Sequence, residues 1–274
     1  MYIKFISYRD LEADDISEGK GRYGVNPSEL IRACNINFNI QEDAEEFFLN
    51  LLDKIDGSLE SKDSPLPSHC FQSNLLQNTT CLHVEFTKSK MLKYLDFAIE
   101  NSATVEEGIF KYFQKELLNG DSKIKAGDFG RQEAERTLFL QRPPRNMVLQ
   151  LKRFGYDVEM DCMVKLHDRI EFPEELDLSI IDKNIENASL IYDLYGVVVH
   201  DGDPTQGHYT FFGRQLDKHG EWFYLNDQSV ERCSWERVQE KGYGGTAYRS
   251  LRGVMGSCNS YLLFYKQRSA TTPH

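Results

Sequence analysis

Three polar side chains stand where they could move a proton. His208 lies between Gly207 and Tyr209 in the stretch His200-Asp-Gly-Asp-Pro-Thr-Gln-Gly-His-Tyr-Thr-Phe-Phe-Gly-Arg214, and a further apolar run, Trp222-Phe-Tyr-Leu-Asn-Asp227, ends in Asn226 and Asp227. A histidine at a loop-to-strand junction, beside a strand ending in Asn-Asp, suits a general base. Asn226 or Asp227 would hold its ring in one tautomer. A histidine satisfied within an ordinary hairpin is the plainer account of the same residues. The six cysteines, Cys34, Cys70, Cys81, Cys162, Cys233 and Cys258, are scattered without paired spacing. They are expected to be reduced, intracellular thiols.

The elements that must carry these groups are partly written in the periodicity. Asn26-Pro27-Ser-Glu29 predicts a helix start, with Asn as N-cap, running to about Cys34. Asn39 and Glu42 form a second expected capping box. From there Ala44, Phe47, Phe48, Leu51, Leu52 and Ile55 recur at helical spacing. Gln41, Asp43 and Glu46 lie in the first turns, at or beyond the margin of that stripe. Short strands are predicted near 70–77, 81–86 and 91–98. Thr104 and Glu107 cap another helix, with Val105, Ile109, Phe113 and Leu117 or Leu118 inward. Later, strand patterns dominate: 137–140, 147–154, 194–200, 208–214, 222–225 and 260–266. Helices early and antiparallel strands late predict an α+β fold, not a doubly wound sheet.

With 274 residues and 40% hydrophobic content, the chain can bury a sizeable core. A net charge of −11 without a basic run argues against nucleic acid as a partner and favours a basic one. The N-terminal residues lack a signal-peptide core, and no run approaches the length that spans a membrane.

Four segments stand in order: Gln41-Glu-Asp-Ala-Glu-Glu-Phe47, Val148-Leu-Gln-Leu-Lys-Arg-Phe154, Tyr195–Tyr209 ending in Gly-His-Tyr, and Trp222–Asp227. Ser260-Tyr-Leu-Leu-Phe-Tyr265 closes the series. Together they resemble the ubiquitin-specific proteases, cysteine deubiquitinases with a papain-like palm, thumb and fingers. Lys165-Leu-His-Asp-Arg-Ile-Glu-Phe-Pro173 and Tyr243-Gly-Gly245 further resemble the zinc-free branch near the herpesvirus-associated member. The resemblance implies one domain over 1–274, N-terminally incomplete: a helical thumb remnant to about 56, β fingers with a connecting helix over about 68–140, and an antiparallel β palm over about 141–267. His208 then matches the general base, Asn226 the residue that orients it, and Asp227 its polar neighbour. Asp43 matches a position that grips the arginine-containing tail of ubiquitin, a task for a charge-assisted, forked pair. Gln41 and Glu46 would be structural or peripheral contacts. Tyr209 would line the channel for the terminal glycines, and Gly207 would let backbone approach closely. Residues 201–206 resemble a loop over that tail. Ubiquitin or ubiquitinated proteins are the implied partners, in cytoplasm or nucleus.

The family's nucleophile opens a helix in a cysteine box that this chain does not show, and Met1 falls where the box should already have passed. No cysteine here has that context, Cys34 included, since it sits late in a short helix. The expectation is a truncated protease, with a catalytically inactive ubiquitin-binding or partner-binding module as the alternative. Cys81-Leu-His83 supplies at most half of a four-ligand zinc site, so no metal and no cofactor is expected.

Overall fold

The computed structural model describes residues 28–35, 42–59, 66–94, 97–100, 102–181, 190–216, 220–249 and 253–268. Helix α1 (Ser28–Ala33) ends just before Cys34, as its sequence predicts, while Asn26 and Pro27 lie outside the described residues. Helix α2 (Ala44–Ser58) starts later than the Asn39–Glu42 box implies. Its N-cap is Asp43, whose Oδ1 accepts from the backbone of Glu45 at 2.8 Å and Glu46 at 3.2 Å. The short aspartate side chain reaches two otherwise orphaned donors from an extended backbone, which fixes the start there.

With strands numbered in chain order, β1 (Ser73–Cys81), β2 (Thr87–Tyr94), β4 (Glu116–Leu118) and β7 (Ala134–Arg142) form one sheet, ordered β2-β1-β7-β4. Its far end is closed by an apolar cluster of Cys81, Leu118, Ala126 and Ala134, backed by Val84, Phe86 and Ile124. The small hairpin β5 (Ile124–Lys125) with β6 (Arg131–Gln132) supplies part of that cover. Cys81 is therefore a packing residue. Among the described residues, no group of three or more His, Cys, Asp or Glu side chains is placed to hold a metal ion.

The larger sheet runs β15 (Ser229–Cys233), β14 (Trp222–Asn226), β13 (Gly207–Arg214), β12 (Ile191–Gly202), β17 (Met255–Gln267), β8 (Asn146–Leu151) and β3 (Phe97–Ile99). Strand β11 (Glu175–Asp177) also pairs with β12, and β16 (Ala247–Arg249) with β17. All these pairings are antiparallel except β3 with β8. A separate hairpin, β9 (Phe154–Asp157) with β10 (Cys162–Lys165), leaves the end of β8.

The sheet is covered on both faces. One face packs Leu149, Leu151, Val197, Val199, Phe212 and Leu263 with helices α3 (Val105–Tyr112) and α4 (Trp235–Gly242). The other packs Val148, Tyr261 and Leu262 against Ala44 and Phe48 of α2. This double cover explains why β8 reads as an unbroken buried run from Met147 to Leu151 rather than an alternating one. Helix α3 is capped as predicted, with Thr104 Oγ1 accepting from Glu107 N at 3.1 Å. It stops at Tyr112, however, and Leu117 and Leu118 belong to β4, because pairing with β7 satisfies their backbone better than another helical turn would. No helix among the described residues is long and apolar enough to cross a membrane.

Leu263 sits fully buried at the middle of β17, between β12 and β8. Leu263→Ala is expected to cost about 3 kcal/mol by transfer and cavity terms together, measured as a lowered urea midpoint at unchanged slope.

Candidate active site

Strands β12 and β13 form a hairpin in which Asp201 faces His208 and Gly202 faces Gly207. Asp203 folds the connection on itself. Its Oδ1 accepts from the Thr205 backbone at 2.8 Å, the Thr205 hydroxyl at 2.6 Å and the Gln206 backbone at 3.1 Å. Strand β14 lies on the other side of β13, with Phe211 opposite Leu225 and Phe212 opposite Tyr224. Side chains alternate along each strand, so this register puts His208 and Asn226 on one face of the sheet. The ring Nε2 lies 2.7 Å from Asn226 Oδ1. An amide oxygen only accepts, so Nε2 carries the proton and Nδ1 keeps the lone pair. Asp227 occupies the turn into β15 with φ of 49°, a left-handed conformation that aspartate tolerates. Its carboxylate is 3.8 Å from the same Nε2. Both His208 and Asp227 are about half exposed, so this longer pair contributes little.

Gly207 and Tyr209 point to the opposite face, where they meet His200. A Cβ on Gly207 would overlap the His200 ring, so no larger residue fits. The Tyr209 ring is 4.9 Å from that of His200, and Phe154 packs edge-on against it at 5.3 Å. Burial, reinforced by the Asp43 carboxylate, pushes the Tyr209 hydroxyl up from its ordinary pKa. Asp43 does two things at once. Besides capping α2, its Oδ2 accepts from the Tyr261 hydroxyl at 2.7 Å, and that hydroxyl accepts from Gln150 Nε2 at 3.0 Å. The structure thus brings His208, Asn226 and Asp227 together and sets Gly207, Tyr209 and Asp43 on the other side of the same hairpin. Gln41 lies outside the described residues.

Three of the thiols, those of Cys258, Cys233 and Cys34, do not have the surroundings of a nucleophile. The Cys258 thiol donates to Lys241 O at 3.6 Å, and burial pushes it up to about 11. Burial raises Cys233 as well. Cys34 is buried beyond the end of α1, where Lys54 binds its carbonyl. A reactive cysteine needs the opposite environment, electropositive and partly open.

Four residues of this region carry no sequence signal for their role: Lys165, His200, Tyr261 and Gln150. Lys165 and His200 are both almost fully buried and touch each other, Nζ to Nδ1, at 2.7 Å. Burial holds His200 down to about 4, aided by the Lys165 charge and opposed by Asp201, Asp43 and Asp203. The unfolded ring takes its proton near 6.5 and the folded ring only near 4. Between those values the unfolded chain binds more protons, so stability is complete above the upper one and is lost as pH falls towards the lower. His200 is expected to account for about 3 kcal/mol of acid destabilisation over that window. The check is urea unfolding of the wild type and His200→Gln at neutral and mildly acidic pH, where the variant should show the shallower loss.

The family model described as ubiquitin carboxyl-terminal hydrolase matches residues 8–265. Ubiquitin carboxyl-terminal hydrolase 15 of Schizosaccharomyces pombe is 31% identical over 263 residues, covering 91% of this chain and 23% of that protein. Ubiquitin carboxyl-terminal hydrolase 7 of Drosophila melanogaster is 31% identical, covering 84% of the chain and 20% of its own length. Ubiquitin C-terminal hydrolase 12 of Arabidopsis thaliana is 31% identical over 75% of the chain and 19% of its own length. The chain thus spans about a quarter or less of these relatives. With a match over nearly all of its length, and with an imidazole bonded to an amide on an antiparallel sheet, the chain belongs to the ubiquitin carboxyl-terminal hydrolase family, as a ubiquitin-specific protease.

Proposed function

We propose that this chain carries the base-bearing part of a cysteine deubiquitinase, which hydrolyses the peptide or isopeptide bond after the C-terminal glycine of ubiquitin. The observation that supports it most directly is the 2.7 Å contact of His208 Nε2 with Asn226 Oδ1, which leaves Nδ1 free to act as base. A thiol attacks the scissile carbonyl as thiolate, so Nδ1 of His208 takes the thiol proton and later gives one to the departing lysine amine. Asn226 keeps the ring pointed and in one tautomer, as in the Cys-His-Asn form of the triad. Asp227 adds a weak field to the imidazolium. The thiol comes from the family's cysteine box rather than from any of the six cysteines described above, and no metal or cofactor takes part.

Tyr209 and Gly207 line the channel for the two terminal glycines, and the loop at 201–206 covers it. The Asp43 carboxylate binds an arginine of the ubiquitin tail with its remaining lone pairs, Tyr261 holding it in place. Gln41 contributes at the periphery. Free thiols throughout, with no disulfide among the described residues, fit a reducing compartment inside the cell. A second reading, an inactive ubiquitin-binding module, is favoured by the unsuitable surroundings of Cys34, Cys233 and Cys258. It shares the affinity for ubiquitin and differs only in turnover.

In the complete protein, His208→Ala is expected to lower kcat/KM on a ubiquitin-tail fluorogenic substrate by about 10²–10⁴-fold, and Asn226→Ala by about 10²-fold. The ubiquitin Kd should stay unchanged. Full activity in His208→Ala would sink the assignment; absent turnover in the wild type with intact ubiquitin binding would select the inactive module.

Asp43→Asn keeps the cap, because asparagine caps a helix as well as aspartate does, but puts a donor where the Tyr261 hydroxyl now finds its acceptor. Its stability should fall by only about 1 kcal/mol, the loss of that one acceptor, while ubiquitin affinity falls about tenfold, the loss of one charge-assisted bond. Calorimetric titration with ubiquitin checks this.

A further inference from the structure

Beneath the hairpin that presents His208 lies a cation that the chemistry above leaves unused. Lys165 ends β10, and only 4% of it is exposed. Its ammonium meets four acceptors: the carbonyl oxygens of Ser257 at 2.6 Å, His200 at 3.1 Å and Gly202 at 3.2 Å, and His200 Nδ1 at 2.7 Å. Among the described residues no carboxylate forms an ion pair with it. An ammonium buried without a counter-charge is costly unless its hydrogen bonds are complete. Its three protons therefore dictate where those acceptors sit.

The positions of the acceptors are informative. His200 and Gly202 flank Asp201, the residue opposite His208 in the β12–β13 ladder, and Ser257 is opposite Gly202 on β17. One ammonium thus clamps the strand on either side of the partner of His208 and ties it to the neighbouring strand. The fourth contact is directional. Nδ1 can accept from an ammonium only as a lone pair, so His200 is neutral with its proton on Nε2. That Nε2 edge faces Gly207, where a Cβ would overlap it. Phe154 and Tyr209 pack against the ring and leave it little room to swing. A displacement of the ring is passed to Gly207, the residue immediately before His208.

We propose that Lys165 is a positioning residue for the reaction: through the His200 ring and Gly207 it fixes the backbone that carries His208, and so keeps His208 within bonding distance of Asn226. This rests on the reading of His208 as the base. A lysine that merely stabilises the fold would leave the bond between His208 and Asn226 unchanged. Burial holds the Lys165 ammonium down to about 8, opposed by Cys258, Asp201 and Asp203 nearby.

Long-range proton–nitrogen NMR of the histidine rings tests the idea on the wild-type chain, with no variant to fold. The expected result is a neutral Nε2–H form of His200; a proton on Nδ1 would overturn the proposal. In Lys165→Met the His208 titration midpoint is expected to shift by about half a pH unit or more, to coincide with that of Asn226→Ala, while exposed His83 stays put. His200→Phe keeps the ring volume but removes the acceptor, and is expected to move His208 in the same direction. A folded Lys165→Met or His200→Phe with the wild-type His208 midpoint would assign Lys165 a structural role and refute the inference. These readouts need no ubiquitin. Unchanged titration with intact cleavage therefore refutes this inference alone, whereas activity surviving His208→Ala refutes the proposed function beneath it.

Discussion

Side chains alternate across a strand, so a slip of one residue in the β12–β13–β14 ladder would turn His208 away from Asn226 and bring Tyr209 into its place. What prevents the slip is burial on both faces. Val197, Val199 and Phe212 belong to the core beneath one face, while Val198 and Tyr209 pack beneath the other. Each strand is thus held in phase by apolar groups that could not be exposed without a cost of about 2 kcal/mol apiece. The Gly202–Gly207 pair completes the constraint at the hairpin end, where the backbones and the His200 ring approach too closely for any Cβ.

Two buried cations support this ladder from the side, and both act on β17. The pairing of β12 with β17 shifts register between Val198 and Val199, so Tyr261 is the extra residue of a bulge. A bulge frees backbone carbonyls that still need donors. Arg153, 1% exposed, supplies one: its guanidinium donates to Ser260 O at 3.1 Å and also to Asp168 O, in the loop before β11, at 2.6 Å. Desolvation lowers its pKa to about 10, yet it remains charged at neutral pH. Lys165 binds another carbonyl of β17 three residues earlier, at Ser257. The bulge also has a consequence on the far face. It turns Tyr261 and Leu262 to the same side, so the Tyr261 hydroxyl reaches Asp43 at the head of α2. Helix and sheet are thereby joined at the Asp43 carboxylate.

Charged pairs at the rim contribute differently. Glu174 accepts from both Arg214 at 2.5 Å and the Trp222 indole at 3.0 Å, which anchors the outer strands β13 and β14 to the segment before β11. Arg268 bridges Asp193 and Glu175 at the start of β12. These contacts are partly open to solvent, so they order the edges more than they stabilise the whole.

Local rules were enough for the stripe of α2, the cap of α3, the apolar strands and the α+β class, since each depends on residues within one element. The closeness of His208 to Asn226 was legible too, because one short strand connection separates them and the Gly-His-Tyr and Asn-Asp signatures survive in the chain. Other features were silent. Helix α4 is short, with Val238 and Gly242 as its buried residues, too few for a periodic signal. Lys165 closes Cys-Met-Val-Lys like any surface lysine, and only the arrival of β12 and β17 buries it. Asp43 and Tyr261 are 218 residues apart, and their contact depends on a bulge that no local pattern marks. Composition and periodicity decide which face of an element is apolar; which buried polar group meets which is settled only when the sheet is assembled, because each such bond needs donors and acceptors from several strands at once.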